Sequence, residues 1–381
     1  MVLEFPNSRN GWKLDAVGLL AVIGEATTET CVEPMTASKL CLLPRLIPAP
    51  QALIRPNRRL TLARVNASVI GVYSGATSSQ ISYIANQIYP ITNLGPFSVR
   101  VLQVKHRNES NALPVRRATA QFFEDVLAPP KQDPMMKART FSPHNVLSVA
   151  STLLTIGLLI WAIIIDDGPA TISIVLLSFA STLFCAASLW NPPERRRHGV
   201  AMVPDGDVVI RTTQGAYLIV KCVETVASEL YFGTDDIRQA ITTGFSSCVG
   251  AGTVIFMVAV ILMGNSSWTM QAALAVTYLL LNAVYWFVAL IPSYFHWDFP
   301  RYTWQDITPA DLRSIAPSNF ATALWGAILE TGSTAWVKRS STTPNTPQWD
   351  RWLAEAEENV RVGNRGWDAD EAKNRIMREP I

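Results

Sequence analysis

Residues 146–190 read VLSVASTLLTIGLLIWAIIIDDGPATISIVLLSFASTLFCAASLW, two uncharged apolar runs split by the turn Asp166–Pro169. The runs, Val146–Ile165 and Ala170–Trp190, are each close to the ~20 residues a helix needs to cross a hydrocarbon core. A second pair follows at Cys248–Gly264 and Met270–Ile291, joined by Asn265–Thr269. All 32 Lys and Arg lie outside these four segments and their turns. The fold class this predicts is an α-helical membrane protein with four transmembrane helices in two hairpins. An N-terminal α+β cytosolic region and a small ββα cytosolic connector complete it.

The charges outside the spans set an orientation. Residues 1–145 hold 16 basic and 9 acidic residues, and Lys131, Lys137 and Arg139 stand just ahead of the first span. Arg195, Arg196 and Arg197 follow the second span directly. Basic flanks stay cytosolic, so these residues anchor the topology with both termini and the central connector inside. The rival reading takes residues 16–24 (AVGLLAVIG) as a signal-peptide core, but Asp15 precedes them and Glu25 follows before a clear cleavage site. Cleavage would leave the sequons at Asn66 and Asn108 open to glycosylation.

The chain divides into an N-terminal cytosolic α+β region (1–127), a linker (128–145), the first hairpin (146–190), a connector (191–247), the second hairpin (248–291) and a Trp-rich tail with amphipathic helices (292–381). Before the first span, residues 14–24 suit a buried helix, 59–74 one or two strands, and Thr77–Tyr89 a helix ended by Pro90. Phe97–Val104 alternates as a half-buried strand does, and Val115–Leu127 reads as an amphipathic helix. In the connector, Val208–Arg211 and Ala216–Lys221 flank a turn in which Gly215 can take a positive φ. A helix over Cys222–Tyr231 follows, and so small a ββα unit needs to pack on the N-terminal region or the inner membrane surface. In the tail, Ser318–Thr331 is apolar on nearly all faces and needs a cover. Thr346-Pro347 opens a helix with Trp349, Trp352, Leu353 and Val360 on one stripe, and the last dozen residues are charged enough to fray.

Chemistry is harder to find. The spans hold no Asp, Glu, Lys, Arg or His, which argues against a coupled transporter. Asn282 is the most polar group near mid-membrane, with Tyr278 one turn away, and an interhelical hydrogen bond is its expected role. Gly244, Cys248 and Gly252 place small residues four apart, a pattern for close helix packing. Arg195–Arg197 can hold an anionic lipid headgroup. Asp166-Asp167 reads as a solvated turn. Asp205-Gly206-Asp207 has the form of a glycosyltransferase DxD, but no nucleotide-binding domain surrounds it, so it too reads as a turn.

The five cysteines lack zinc spacing and read as free thiols, and the four histidines are dispersed. No motif assigns a catalytic residue, a cofactor or a metal site, and the diluted basic residues argue against nucleic acid. The partners expected are the lipid bilayer, and either a second copy of the chain or a cytosolic protein. VPDGDVVIRTTQGAYLIVKC through ASELYFG, with NSSWTMQAA and LLLNAVYWFVALIP in the second hairpin, resembles uncharacterised multi-pass membrane proteins of filamentous fungi. The resemblance implies an internal or plasma membrane and carries over no functional residue. The leading expectation is a non-enzymatic membrane component with cytosolic partner-binding surfaces. An oligomeric channel or facilitator, and a membrane-bound enzyme with a cytosol-facing site, are the alternatives.

Overall fold

A computed structural model of the chain describes residues 25–54, 64–107, 134–191, 204–233, 238–239, 244–292, 295–314 and 319–379. In chain order its main elements are helix α1 (Glu25–Thr36) and strands β1 (Val65–Gly71), β2 (Thr77–Ile81) and β3 (Val99–His106). Two long helices follow, α2 (Pro143–Ile164) and α3 (Gly168–Ser188), then β4 (Val208–Arg211), β5 (Tyr217–Lys221) and the short α4 (Glu224–Leu230). Two more long helices, α5 (Phe245–Gly264) and α6 (Trp268–Ala289), precede β6 (Tyr302–Asp306), α7 (Phe320–Thr331), α8 (Pro347–Val362) and α9 (Ala369–Arg378). These elements sort into two compact units, each interleaved along the chain with the other.

The first unit contains α1, α2, α3, α5 and α6. The last four are the helices long and apolar enough to cross a membrane. Their outward surface is apolar as well: Ile156, Ile160, Ile163, Phe179, Val254, Met257, Ile261, Val276 and Leu280 are all exposed. So broad an apolar girdle is far beyond what a water-soluble unit shows, and fits a hydrocarbon solvent. Exposed aromatics stand at both ends, Trp161 and Trp268 near the two tight turns and Phe141, Trp286 and Phe287 at the far end, as in interfacial belts.

The closest packing joins α3 to α5, one helix from each sequence pair. A Cβ on Gly252 would come within 2.8 Å of the Phe184 ring, so a small residue is required there. Ser173 Oγ donates to the Ala259 carbonyl at 2.8 Å, the buried polar link across the same interface. At the turns, Asp167 Oδ1 accepts from the Ala170 N–H at 3.0 Å and Oδ2 accepts from the Ser267 N–H at 2.8 Å. Burial pushes this carboxyl up, yet those hydrogen bonds outweigh it and hold it below its ordinary value. Asp167 is therefore buried, not solvated as expected. It clasps the two turns to each other.

The second unit is built on a six-stranded sheet of order β6-β3-β5-β4-β1-β2, antiparallel except for the β3–β5 pair. Val99, Val101, Val209, Tyr217 and Ile219 face α7, α8 and α9 in one core. Leu102, Val104, Leu218 and Val220 are buried as well, so the central strands are covered on both faces. The β4–β5 hairpin turns at Gly215, φ +76°, as its sequence requires. As so small a unit requires, it does not stand alone but joins strands of the N-terminal region. Its edges are taken by β1 and β3, which complete hydrogen bonding that two short strands cannot provide alone.

Other expectations shift in detail. Thr77–Ile81 pairs with β1 as a strand, and only Tyr83–Ile88 is helical, capped by Ser82, whose hydroxyl accepts from the Ala85 N–H. Asn319 caps α7, and Gly332 closes it in the left-handed conformation. The charged segment Ala369–Arg378 forms a helix, α9, which Asp368 caps by accepting from the N–H groups of Asp370 and Glu371. Residues 14–24, Val115–Leu127 and the first part of the linker, 128–133, lie outside the described residues.

Candidate functional site

The segment after α1 reads SKLCLLPRLIPAPQALI over residues 38–54. Pro44, Pro48 and Pro50 forbid a continuous helix. Only two short 3-10 turns form, Lys39–Leu42 and Pro50–Ile54, with extended backbone between them. Both turns pack on α3, and the first also touches α2. The extended part is satisfied by the helices. The Leu46 N–H donates to Thr155 Oγ1 at 3.1 Å, and Thr28 Oγ1 donates to the Pro48 carbonyl at 2.8 Å. Thr155 lies twelve residues into α2, about 18 Å along it at 1.5 Å per residue. Non-helical backbone thus reaches the middle of a membrane-length helix. Such backbone is stable at that depth only when buried in protein.

Arg45 sits at the deepest part of this loop and is fully buried. Its Nη1 donates to the carbonyls of Cys41 at 3.0 Å and Leu40 at 3.3 Å. Its Nε and Nη2 are buried and form no hydrogen bond. Among the described residues, the ionisable side chains around the guanidinium are Cys41, Cys185, Tyr285 and His144, with no carboxylate among them, and the Tyr285 hydroxyl faces it. Cys185 lies three residues before the end of α3 and Tyr285 four before the end of α6. The backbone is at half depth, while the side chain reaches back to within about one helical turn of those ends. An arginine stays charged, and an uncompensated buried charge costs several kcal/mol. Intramembrane charges of this kind mark functional sites.

No protein-family model, curated protein or solved structure matches this chain. The reading of the site rests on its own geometry.

The residues singled out from the sequence are dispersed. Arg195, Arg196 and Arg197 lie outside the described residues. Lys137 pairs with Asp298 in a two-residue ladder, and exposed Arg139 donates from Nε to the Trp297 carbonyl at 3.0 Å. Gly244 is the N-cap of α5, Cys248 is a half-buried free thiol, and of the three small residues Gly252 makes the close approach. Tyr278 is buried on the packed face of α6 with Leu281 and Tyr285. Asn282 Oδ1 is buried without a hydrogen-bond partner. It falls beside that packed face, between Leu281 and the exposed Ala283.

A second polar cluster in this unit joins the start of α2 to the chain after α6. The rings of His144 and His296 stand 4.7 Å apart, both buried, with Nδ1 unpartnered in each. Burial holds His296 below its ordinary pKa. A histidine lowered in the folded state binds fewer protons there than in the unfolded chain, so stability falls as pH drops through about 6.5. Thermal melts between pH 8 and 5 are expected to show a loss below pH 6.5 that is shallower in His296→Phe. Identical slopes would contradict it.

In the sheet unit, Glu229 of α4 accepts from Arg301 Nη2 at 2.8 Å and from the Tyr302 hydroxyl at 2.7 Å. His106 of β3 stacks on Tyr302 and lies 3.7 Å from Glu229. Asp207 is paired with Lys221 at 2.5 Å across the hairpin, and a Cβ on Gly206 would strike the Glu224 backbone, so the Asp205-Gly206-Asp207 triplet is a tight structural turn. A cavity of about 310 Å³ lined by Val99, Leu312, Trp325 and Leu329 has Arg365 at its edge. That arginine is already shared between Asp311 and Glu330. Among the described residues, no three or more His, Cys, Asp or Glu are grouped to hold a metal.

Proposed function

We propose that this chain is a four-span membrane protein whose helices hold one cytosolic sheet unit and present it to protein partners, as a non-enzymatic membrane component. The observation that carries this is the origin of the strands. The sheet takes β1, β2 and β3 from before α2, β4 and β5 from between α3 and α5, and β6 from after α6. One hydrogen-bonded sheet cannot straddle a bilayer, so all three segments share a side. Each helix pair then returns to the side it left, as two hairpins. The basic residues at 137, 139 and 195–197 favour the cytosol for that side, with both termini inside. Within the sheet unit the prominent buried and clustered charges pair with each other, which suits a structural platform.

The test is chemical cross-linking in intact membranes followed by peptide mapping. Exposed lysines of the sheet unit such as Lys105 and Lys338 are expected to link to a second protein. Links confined to this chain would contradict the reading. Asn282 favours one further arrangement, assembly of several copies, because a half-buried amide two-thirds of the way along α6 can hydrogen-bond a second helix laid against it. The mass of the protein in mild detergent decides this, since a strict monomer removes both the assembly and any pore built from it.

A further inference from the structure

Arg45 departs from ordinary buried arginines in which of its nitrogens are free. Nη1 is committed to backbone carbonyls of its own loop, and this fixes the plane of the guanidinium. Nε and Nη2 remain, and together they form one edge with two parallel N–H bonds. That edge is the one that engages two oxygens of a carboxylate or phosphoryl group at once. A halide, having a single centre, would leave half of it unused.

The described surroundings supply no counter-charge to the guanidinium. Its neighbouring ionisable side chains are two thiols, a phenol and the His144 imidazole, with no carboxylate. The Tyr285 hydroxyl donates, weakly, to Met35 Sδ at 3.6 Å, and its oxygen faces the guanidinium as a neutral acceptor that carries no counter-charge. In the sheet unit neither charged cluster offers such a vacancy: Glu229 is shared among three partners, and Arg365 is held by two carboxylates.

We propose that the loop 39–54 forms an oxyanion site in which Arg45 holds a phosphoryl group through Nε and Nη2. The guanidinium lies about one turn inside the ends of α3 and α6, close to headgroup level, so two sources share this chemistry. One is the phosphodiester of a membrane lipid, the other free inorganic phosphate. The lipid source rests on the four helices lying in a bilayer; the free phosphate does not.

The full chain, purified in mild detergent, is examined by native mass spectrometry. Wild type carrying about one phospholipid per chain, with retention at least tenfold lower in Arg45→Lys, supports the lipid source. Lysine keeps the charge and loses the two-pronged edge. Delipidated wild type is then melted in inorganic phosphate and in chloride at equal ionic strength. A phosphate-specific rise of several degrees, absent in Arg45→Lys, supports the free anion. Where the lysine variant does not fold, a phospholipid with a photoactivatable headgroup is cross-linked to wild type, and adducts on peptides spanning 39–54 support the site. The same mapping with a photoactivatable phosphate monoester serves the free anion.

Wild type with neither retained lipid nor a phosphate response overturns the proposal. Equal responses in wild type and a folded Arg45→Lys, or adducts only outside 39–54, do the same. Alkaline carbonate extraction reports separately on membrane insertion, so a failure of the four-span reading is not mistaken for a failure of the site.

Discussion

Glu229→Ala is expected to destabilise the sheet unit by about 3–5 kcal/mol, the cost of removing one partner from a buried ion pair. Arg301 and His106 are only 4% and 2% exposed at their side chains, so neither finds water once the carboxylate is gone. The Tyr302 hydroxyl loses its acceptor as well. Against a total stability of about 5–15 kcal/mol, the change is a large fraction. Chemical denaturation followed by tryptophan fluorescence measures it. Because Glu229 lies on the central connector, Arg301 and Tyr302 on the tail and His106 on the N-terminal region, the same result reports how firmly three distant segments are held in one unit. A loss below 1 kcal/mol would show that the cluster is not a structural joint.

Trp352→Ala is expected to cost about 3–5 kcal/mol, as deletion of a large buried aromatic does. Trp352 is fully buried, its Nε1 donates to the Ala369 carbonyl at 2.9 Å, and its ring meets Trp349 and Trp367. It therefore fastens α8 to α9. The variant is expected to melt earlier and to release α9 to proteolysis first. A melting curve that overlays the wild type would contradict this packing.

The contrast between what could and could not be read from the residues is instructive. The four long helices were legible because twenty uncharged apolar residues in a row have one reading. The 208–221 hairpin was legible from two apolar runs around Gly215, and α8 from Thr346-Pro347 and its tryptophan stripe. The sheet was not. Ser68 pairs with Arg211, and Asp306 with Leu102, partners remote in the sequence that no local pattern encodes.

Arg45 was hidden for a different reason. Hydropathy detects a membrane-embedded segment by a continuous apolar run, and PRLIPAP is short, broken by prolines and centred on a charge. It enters the helix unit as a loop, which leaves no periodicity to find. The signal present was an arginine flanked by Leu and Ile between prolines, in a stretch with no carboxylate to pair with. It turns the search for function back toward the helices, which had looked chemically plain.

The central claim is that three extramembrane segments share one side of a bilayer crossed four times. Single cysteines at Tyr73, Gln214 and Val362, one exposed position in each segment, and at Asp166 and Asn265 in the two turns, can be labelled with a membrane-impermeant maleimide in sealed vesicles of known orientation. The account predicts that the first three react from the cytosolic side alone and the two turn positions from the opposite side alone. Labelling that places any two of Tyr73, Gln214 and Val362 on opposite sides would contradict it.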